Sequence, residues 1–442
     1  MNITILGCGK SGIGAAKLAV SKGYKVKLTE SRDIDKFQEE YEILKSLGVS
    51  CEFGLNSSKS LDHCDLLISS PGIHRNIKFF QEAEKKKIPI ISEIEFAYRH
   101  TNSKIISVTG TNGKTTTTSL IAYILNNAGK RAVACGNIGY TFSEAILEYP
   151  ESTIFVVETS SYQLDLVNTF APDIALILNI SQDHQEYHKT MKDYIYAKWK
   201  TSSFQNENNL LILNMDDDTI SKNMYQTRAK IGYFSLNPVN WGIYHKEGGI
   251  YFKTADKEEF LMLTEQLSLP GVHNLYNSMA AALAVRAFEV RNEDIRDSLA
   301  SFRGVEHRLE NVRTINSIKF VNDSKATNIN ATWYALSSYY QPIVWIAGGR
   351  ANGNDYSELD SLVKKNVKAI ICIGEEKENI FNHYCTSVRC IKADDLDDAI
   401  YKAYESSESN DIILFSPACK SFDMFMNYEH RGEVFKSIVN NL

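Results

Sequence analysis

Residues 107–118 read "SVTGTNGKTTTT". The short apolar run "KIISV" enters a turn with two glycines, and the turn opens into "TTTSLIAYILNNAG", which reads as a helix. A strand feeding a glycine turn that starts a helix turns backbone N–H groups and the helix N-terminus toward a phosphate. In that reading Gly110, Thr111, Asn112 and Gly113 form the cradle. Lys114 reaches the β- and γ-phosphates, and the hydroxyl of Thr115 or Thr116 faces Mg²⁺. The strict spacing G-x-x-x-x-G-K-[ST] is not met: its first glycine falls on Val108, and Gly110 is present instead. A tight turn with a solvated lysine is the blander reading, and it leaves the run of hydroxyls unexplained.

Outward from this turn, strand-like and helix-like segments alternate. At the N-terminus "NITIL", the glycine turn "GCGKSGIG" (7–14) and "YKVKLTE" make a βαβ opening. That first turn reads G-x-G-x-x-G. Taken alone it predicts a dinucleotide site, with Glu30 placed as the ribose-binding acid. "CDLLISSPGI" and "IPIISEIEFAYRH" complete a first unit. A second unit holds "RAVACG", "STIFVVE", "DIALILNI" and "NNLLILNM", nearly continuous apolar runs of the kind found in parallel strands covered on both faces. "GIYHKEGGIYFKT" alternates like a hairpin, and "LYNSMAAALAVRAFEV" reads as a helix. The third unit holds "SIKFVND", "PIVWIAGG", "VKAIICIG" and "DIILFSPA". The expected class is α/β in three domains, at 1–97, 98–302 and 303–442.

Composition narrows the function. The chain has 442 residues, 43% hydrophobic and 23% charged, with a net charge of −6. That balance gives no footprint for nucleic acid or an anionic membrane. No apolar run approaches the roughly 20 residues of a membrane span, and no signal-peptide pattern opens the sequence. The eight cysteines form no CxxC pair, which fits reduced thiols and a cytoplasmic location.

Further polar groups fall at strand ends, where α/β sheets place ligands. Glu158 ends "STIFVVE", and Asp183 and His184 follow "DIALILNI". Glu158 suits Mg²⁺, directly or through water; His184 suits a metal or a phosphate. The acidic "MDDD" (215–218) lacks calcium-loop spacing and reads as a turn or helix start.

Together with the phosphate loop, "ETSSYQLD" (158–165), "NISQDH" (179–184), "GVHNLYN" (271–277), "FRGVEHRLE" (302–310), "NDSKATN" (322–328) and "SPACKSFDMF" (416–425) follow one another in an order that resembles the Mur ligases. These are the ATP-dependent amino-acid-adding enzymes of peptidoglycan synthesis. The set is most similar to the branch that adds D-glutamate, and it covers nearly the whole chain. The resemblance implies a Rossmann-like UDP-binding domain, a central P-loop ATPase-like domain and a Rossmann-like C-terminal domain. It implies a reaction in which the carboxylate of UDP-N-acetylmuramoyl-L-alanine takes the γ-phosphate of ATP, and the amine of D-glutamate then displaces phosphate from the acyl phosphate. It implies two Mg²⁺ ions, served by Thr115, Glu158 and His184, and by Lys198 in carbamoylated form. It implies closure of the third domain over the nucleotide, and a monomer.

The same resemblance distributes the remaining residues. Asn274 and Asn277 fall near the adenine or ribose, with Arg308 and Asp323 reaching the nucleotide from the C-terminal domain. Lys325, Thr327, Ser421, Phe422 and Tyr428 line the amino-acid site. Ser11, Gly12, Glu30, Ser31, Arg32, Ser70, Gly72 and Asn137 follow the UDP-sugar. The segment "IAGGRANGNDYSEL" (346–359) departs from the pattern: Asn352 stands where the D-glutamate branch carries a lysine, and Arg350 lies two residues earlier. Either Arg350 restores the positive charge or the choice of amino acid has changed. An NAD-dependent oxidoreductase built on the first turn leaves the second turn and the third domain without a role. A nucleotide-binding switch predicts ATP binding without amino-acid-dependent phosphate release.

Overall fold

A computed structural model describes residues 1–183, 187–351 and 353–442, with Asn330 described by its backbone alone. The chain forms three sheets. It falls into two compact units, Met1–Gln266 with Tyr276–Ala300, and Leu267–Leu275 with Ser301–Leu442.

The first unit holds two sheets. One comprises β1 (Asn2–Leu6), β2 (Lys25–Glu30), β3 (Ser50–Phe53), β4 (Leu66–Ser69) and β5 (Ile90–Ser92). Its order is β3-β2-β1-β4-β5 and every pair is parallel. The order reverses direction at β1, so a crevice opens beyond the carboxyl ends of β1, β2 and β4. Three glycines make the first turn possible, each differently. Gly7 has φ of 100°, and a Cβ there would sit 2.8 Å from Ser70 Oγ. A Cβ on Gly12 would lie 2.0 Å from the Gly7 carbonyl oxygen, so only glycine lets the helix Lys10–Ser21 start this close to the strand. A Cβ on Gly9 would meet nothing within 4 Å.

The second sheet comprises β6 (Ile105–Thr109), β7 (Ala132–Gly136), β8 (Ile154–Glu158), β9 (Ile174–Ile177), β10 (Leu210–Asn214), β11 (Lys230–Ser235), β12 (Gly242–Lys246), β13 (Gly249–Lys253) and β14 (Glu258–Leu263). Its order is β14-β13-β12-β11-β10-β9-β6-β8-β7. It is parallel from β7 to β12. The hairpin expected at Gly248 then turns it antiparallel, and β14 adds a further strand. Asp217 caps the short helix Asp218–Lys222, as a turn or helix start at "MDDD" requires.

The first two sheets meet through buried carboxylates. Glu95 accepts the backbone N–H groups of Asn168, Thr169 and Phe170, each at 3.0 Å, and Arg99 at 2.8 Å. Burial pushes its pKa up, but these donors outweigh it and hold the carboxyl below its ordinary value. Glu93 is different: Oε1 accepts Ser143 N–H at 2.6 Å, while Oε2 is buried with no partner among the described residues. Burial dominates there and raises the pKa to about 7.

The second unit holds β15 (Glu310–Ile315), β16 (Ile318–Asn322), β17 (Ile343–Gly348), β18 (Val367–Ile373), β19 (Arg389–Lys392) and β20 (Ile412–Phe415), in the order β15-β16-β20-β17-β18-β19. Only the β15–β16 pair is antiparallel. Trp345 and Phe320 mark cores on opposite faces of this sheet, as a strand pattern buried on both sides demands. Among the described residues, no helix is long and apolar enough to cross a membrane.

Candidate functional site

The second glycine turn sits between the end of β6 and the helix Lys114–Asn127. Gly113 caps that helix with φ of 83°, and a Cβ there would lie 2.4 Å from Asn277 Oδ1. The neighbouring strand end pins the loop: Asn112 N–H donates to Asn179 Oδ1 at 2.8 Å, Asn179 Nδ2 returns to the Asn112 carbonyl at 3.0 Å, and Thr111 N–H donates to the Asn179 carbonyl at 2.9 Å. The Thr111 hydroxyl lies 3.0 Å from Tyr194 Oη. Asn179 and Tyr194 are structural partners that the sequence reading passed over, because only the order β9-β6-β8 reveals them.

Two lysines converge on this loop. Lys114 Nζ donates to the carbonyls of Gly110 and Thr111, at 2.9 and 2.8 Å. Lys198 Nζ, from the helix Met191–Trp199, donates to the same Gly110 carbonyl at 2.7 Å. Lys198 is 1% exposed, so it is no solvated helix lysine. Burial, and then the charge of Lys114, push its pKa well below the ordinary lysine value.

Glu158, at the end of the adjacent β8, is buried. Asn137 Nδ2 donates to its Oε1 at 2.9 Å, whereas Oε2 has no partner among the described residues, nor does the buried hydroxyl of Thr116. A buried carboxylate oxygen and a hydroxyl without partners fit a hard divalent cation, which takes oxygen ligands and keeps several waters. Among the described residues, no three of His, Cys, Asp or Glu gather into a ligand group; His184 lies outside them. Asn137 thus supports Glu158, and it is not among the residues that line the cavity of the first turn. Asn277 accepts the Thr117 hydroxyl at 3.2 Å beside the start of the phosphate helix. Asn274 belongs to the second unit, where its amide donates to the Pro270 carbonyl at 2.8 Å.

The first turn opens on a cavity of about 550 Å³. Glu30, Ser31, Arg32 and Ser70 line it as expected, whereas Ser11, Gly12 and Gly72 are not among its lining residues. Asn56, Ile73 and Lys78 are additional walls. Both carboxylate oxygens of Glu30 are engaged: Oε2 accepts Cys8 N–H at 3.0 Å and Arg32 Nη2 at 3.1 Å, and Oε1 accepts Arg32 N–H and Nε, each at 3.0 Å. Burial alone would raise its pKa, but the Arg32 guanidinium and these N–H groups bring it down to about 2. Glu30 therefore organises the turn while it lines the cavity beside it.

In the second unit, strand ends again gather the expected residues. Asp323 follows β16 and accepts Ser416 Oγ at 2.8 Å and Leu309 N–H at 3.2 Å. Burial raises its pKa to about 7, against the opposing charges of Arg308 and Arg431. The Nε of Arg308 is buried with no partner among the described residues. Arg431, which the sequence reading did not single out, donates to Ser324 O and Oγ at 2.7 and 3.0 Å and to Cys419 O at 3.0 Å. It thus ties segment 324–327, with Lys325 and Thr327, to the segment holding Ser421. Lys325 Nζ stands 5.2 Å from the centre of the Tyr428 ring. Phe422 is 56% exposed, so it is no core residue. Arg350 pairs with Glu375 at 3.1 Å, with both side chains about half exposed. Asn352 lies outside the described residues.

Family models match in the same three parts: a Mur ligase MurD-like N-terminal domain over residues 1–92, a Mur ligase middle domain over 108–285, and a Mur ligase glutamate ligase domain over 307–419. The chain is 40% identical to a UDP-N-acetylmuramoylalanine–D-glutamate ligase of Salinibacter ruber, covering 99% of this chain and 97% of that one. The chain belongs to the Mur ligase family. A second relative of this Mur ligase, from Christiangramia forsetii and carrying the same name, is 39% identical over 100% of this chain and 99% of its own. The MurF ligase from Thermotoga maritima, solved in complex with ADP, shares the fold at a TM-score of 0.60 and 17% identity, covering 88% of this Mur ligase and 94% of that chain.

Proposed function

We propose that this Mur ligase joins D-glutamate to UDP-N-acetylmuramoyl-L-alanine at the expense of ATP, in peptidoglycan precursor synthesis. The observation that carries the reading is the convergence of Lys114 and Lys198 on the Gly110 carbonyl, next to the strand that ends in Glu158, one oxygen of which has no partner among the described residues. Moving a carboxylate anion onto a polyphosphate requires positive charge between them. The end-to-end likeness to D-glutamate ligases supplies the substrates.

The substrate carboxylate attacks the γ-phosphorus and ADP leaves. The amine of the incoming amino acid then attacks the acyl carbon, loses a proton, and phosphate departs. Lys114 stabilises the charge that moves toward the β/γ bridge. Thr115 and Glu158 would hold one Mg²⁺ and His184 a second; such ions supply charge neutralisation at the phosphate oxygens. Burial and the charge of Lys114 lower the Lys198 pKa, which favours the neutral amine; that form adds CO₂, releasing a proton and leaving an anionic carbamate suited to a cation. Asn274, Asn277, Arg308 and Asp323 are assigned to the nucleotide. Lys325, Thr327, Ser421, Phe422, Tyr428 and the 350–352 segment are assigned to the amino acid. We also assign domains at 1–97, 98–302 and 303–442, a monomer, and a cytoplasmic location.

The Arg350–Glu375 pair favours a second reading, a Mur ligase for a different amino acid, because it gives Arg350 a carboxylate partner within the chain. One assay decides: phosphate release with UDP-N-acetylmuramoyl-L-alanine, ATP and Mg²⁺ across D- and L-amino acids. Turnover with D-glutamate alone supports the first reading, and turnover with another acid supports the second. No turnover by folded, ATP-binding protein overturns both.

A further inference from the structure

Residues 70–79, "SPGIHRNIKF", form a partition between two cavities. One face of the loop, through Ser70, Ile73 and Ile77, walls the cavity of the first glycine turn. The other face, His74–Asn76 by number 74–76, walls a separate cavity of about 360 Å³ shared with the second sheet's loops. The start of the loop is tied to the first turn, where Ser70 Oγ donates to the Gly7 carbonyl at 3.2 Å.

Its middle is tied elsewhere. Arg75 Nε lies 2.7 Å from Asp165 Oδ2, and Arg75 Nη2 donates to the Asp165 carbonyl at 2.5 Å. Asp165 ends the helix Ser161–Asp165. Lys200 Nζ donates to the same Asp165 carbonyl, and Lys200 follows directly on the helix that carries Lys198. His74 stacks on Tyr187, ring centres 5.1 Å apart, and Tyr187 Oη reaches Asp165 at 3.5 Å. One carboxylate residue therefore joins the loop that walls the first cavity to the segment that brings Lys198 to the phosphate loop.

We infer that Arg75 and Asp165 are positioning residues: their pair sets where the 70–79 loop stands over the nucleotide-sugar cavity relative to the Lys198 helix. A substrate that starts in the first cavity and reacts at the second glycine turn needs that spacing fixed, since misplacement of a reacting group by about 1 Å costs on the order of a hundredfold in rate. The inference rests on the substrate assignment above.

The test uses the full chain and the variants Arg75→Ala, Arg75→Gln, Arg75→Lys, Asp165→Asn and the double variant Arg75→Ala/Asp165→Asn. Wild-type turnover with UDP-N-acetylmuramoyl-L-alanine is the control, and its failure would count against the substrate assignment alone. UDP binding by calorimetry then still reads the loop. The expected result is a rise in KM for the UDP-sugar, or in Kd for UDP, of about tenfold for Arg75→Ala or Arg75→Gln, with KM for ATP within about twofold. Arg75→Lys should recover most of the loss. The double variant should fall short of the product of the two single effects, because the two residues share the Arg75–Asp165 interaction. An unchanged UDP-sugar KM, a parallel rise in both KM values, or single effects that multiply in the double variant would each overturn the inference.

Discussion

The two glycine turns are built by the same backbone device, a parallel strand that enters a helix through glycine, and are surrounded by different charge. In the first, the carboxylate of Glu30 occupies the turn and takes the Cys8 N–H for itself, balanced by Arg32. In the second, two lysine amines share one backbone carbonyl, and Glu158, at the end of the adjacent strand, has one oxygen without a partner among the described residues. A site that only retains a diphosphate needs N–H groups and room. A site that transfers a phosphoryl group needs charge aimed at where charge develops. Fold does not make this distinction, since both turns follow a parallel strand and open a helix. The side chains delivered by neighbouring strand ends make it.

The largest expected effect tests the transfer side. Lys114→Ala should lower turnover by about a thousandfold or more, in line with loss of a charge-stabilising donor. UDP binding at the first turn should be unchanged by calorimetry. If turnover stays near normal, the second turn is not the transfer site. Next comes room at the first turn. Gly9→Ala should leave the melting temperature unchanged, because its Cβ has open space, yet raise KM for the UDP-sugar about tenfold by crowding the bound diphosphate. Gly12→Ala should instead lower the melting temperature, because its Cβ strikes the Gly7 carbonyl. If the two variants behave alike, the division of roles among these glycines is wrong.

Smaller effects follow from the carboxylates. Glu30 has a lowered pKa of about 2, so its contribution is complete above the ordinary value near 4.5 and fades as pH falls toward 2. Urea unfolding should show Glu30→Gln less stable than wild type at pH 7, with the gap narrowing below pH 4.5. Glu93 has the opposite sign. Its pKa is raised to about 7, so wild type loses stability relative to Glu93→Gln as pH rises from 4.5 to 7, and the difference is level above that. The slope is at most about 1.4 kcal/mol per pH unit. Equal unfolding free-energy differences at pH 5 and pH 8 would remove Glu93 as a buried neutral acid.

Much of the fold was legible because strand runs and glycine turns are local signals. "NITIL", "KIISV" and "PIVWIAGG" are dense in β-branched residues, and each is a strand between neighbours that cover both faces. The hairpin at Gly248 declared itself through its turn residues. Short edge strands such as β3 and β19 did not, since four residues of mixed burial carry too little pattern. In the site, Lys114 and Glu158 could be found from their places at strand ends. Asn179, Tyr194 and Arg431 could not, because their partners are 67, 83 and 107 residues away. Glu30 was legible as a residue of the first turn, but its bonds to Cys8 and Arg32 were not, since only the structure shows both of its oxygens engaged.

The antiparallel tail of the second sheet has a consequence for how the protein behaves in a crowded solution. β14 is a terminal strand, and an uncovered strand edge invites a second copy to add to the sheet. Here the edge carries charge: Lys257 pairs with Glu259 at 3.2 Å, Glu259 also holds Arg286 at 3.1 Å, and Glu258 accepts the Tyr244 hydroxyl at 2.6 Å. A second copy adding there would bring its own charges against these paired side chains. Charge on a terminal strand is thus the feature of this sheet that opposes edge-to-edge addition.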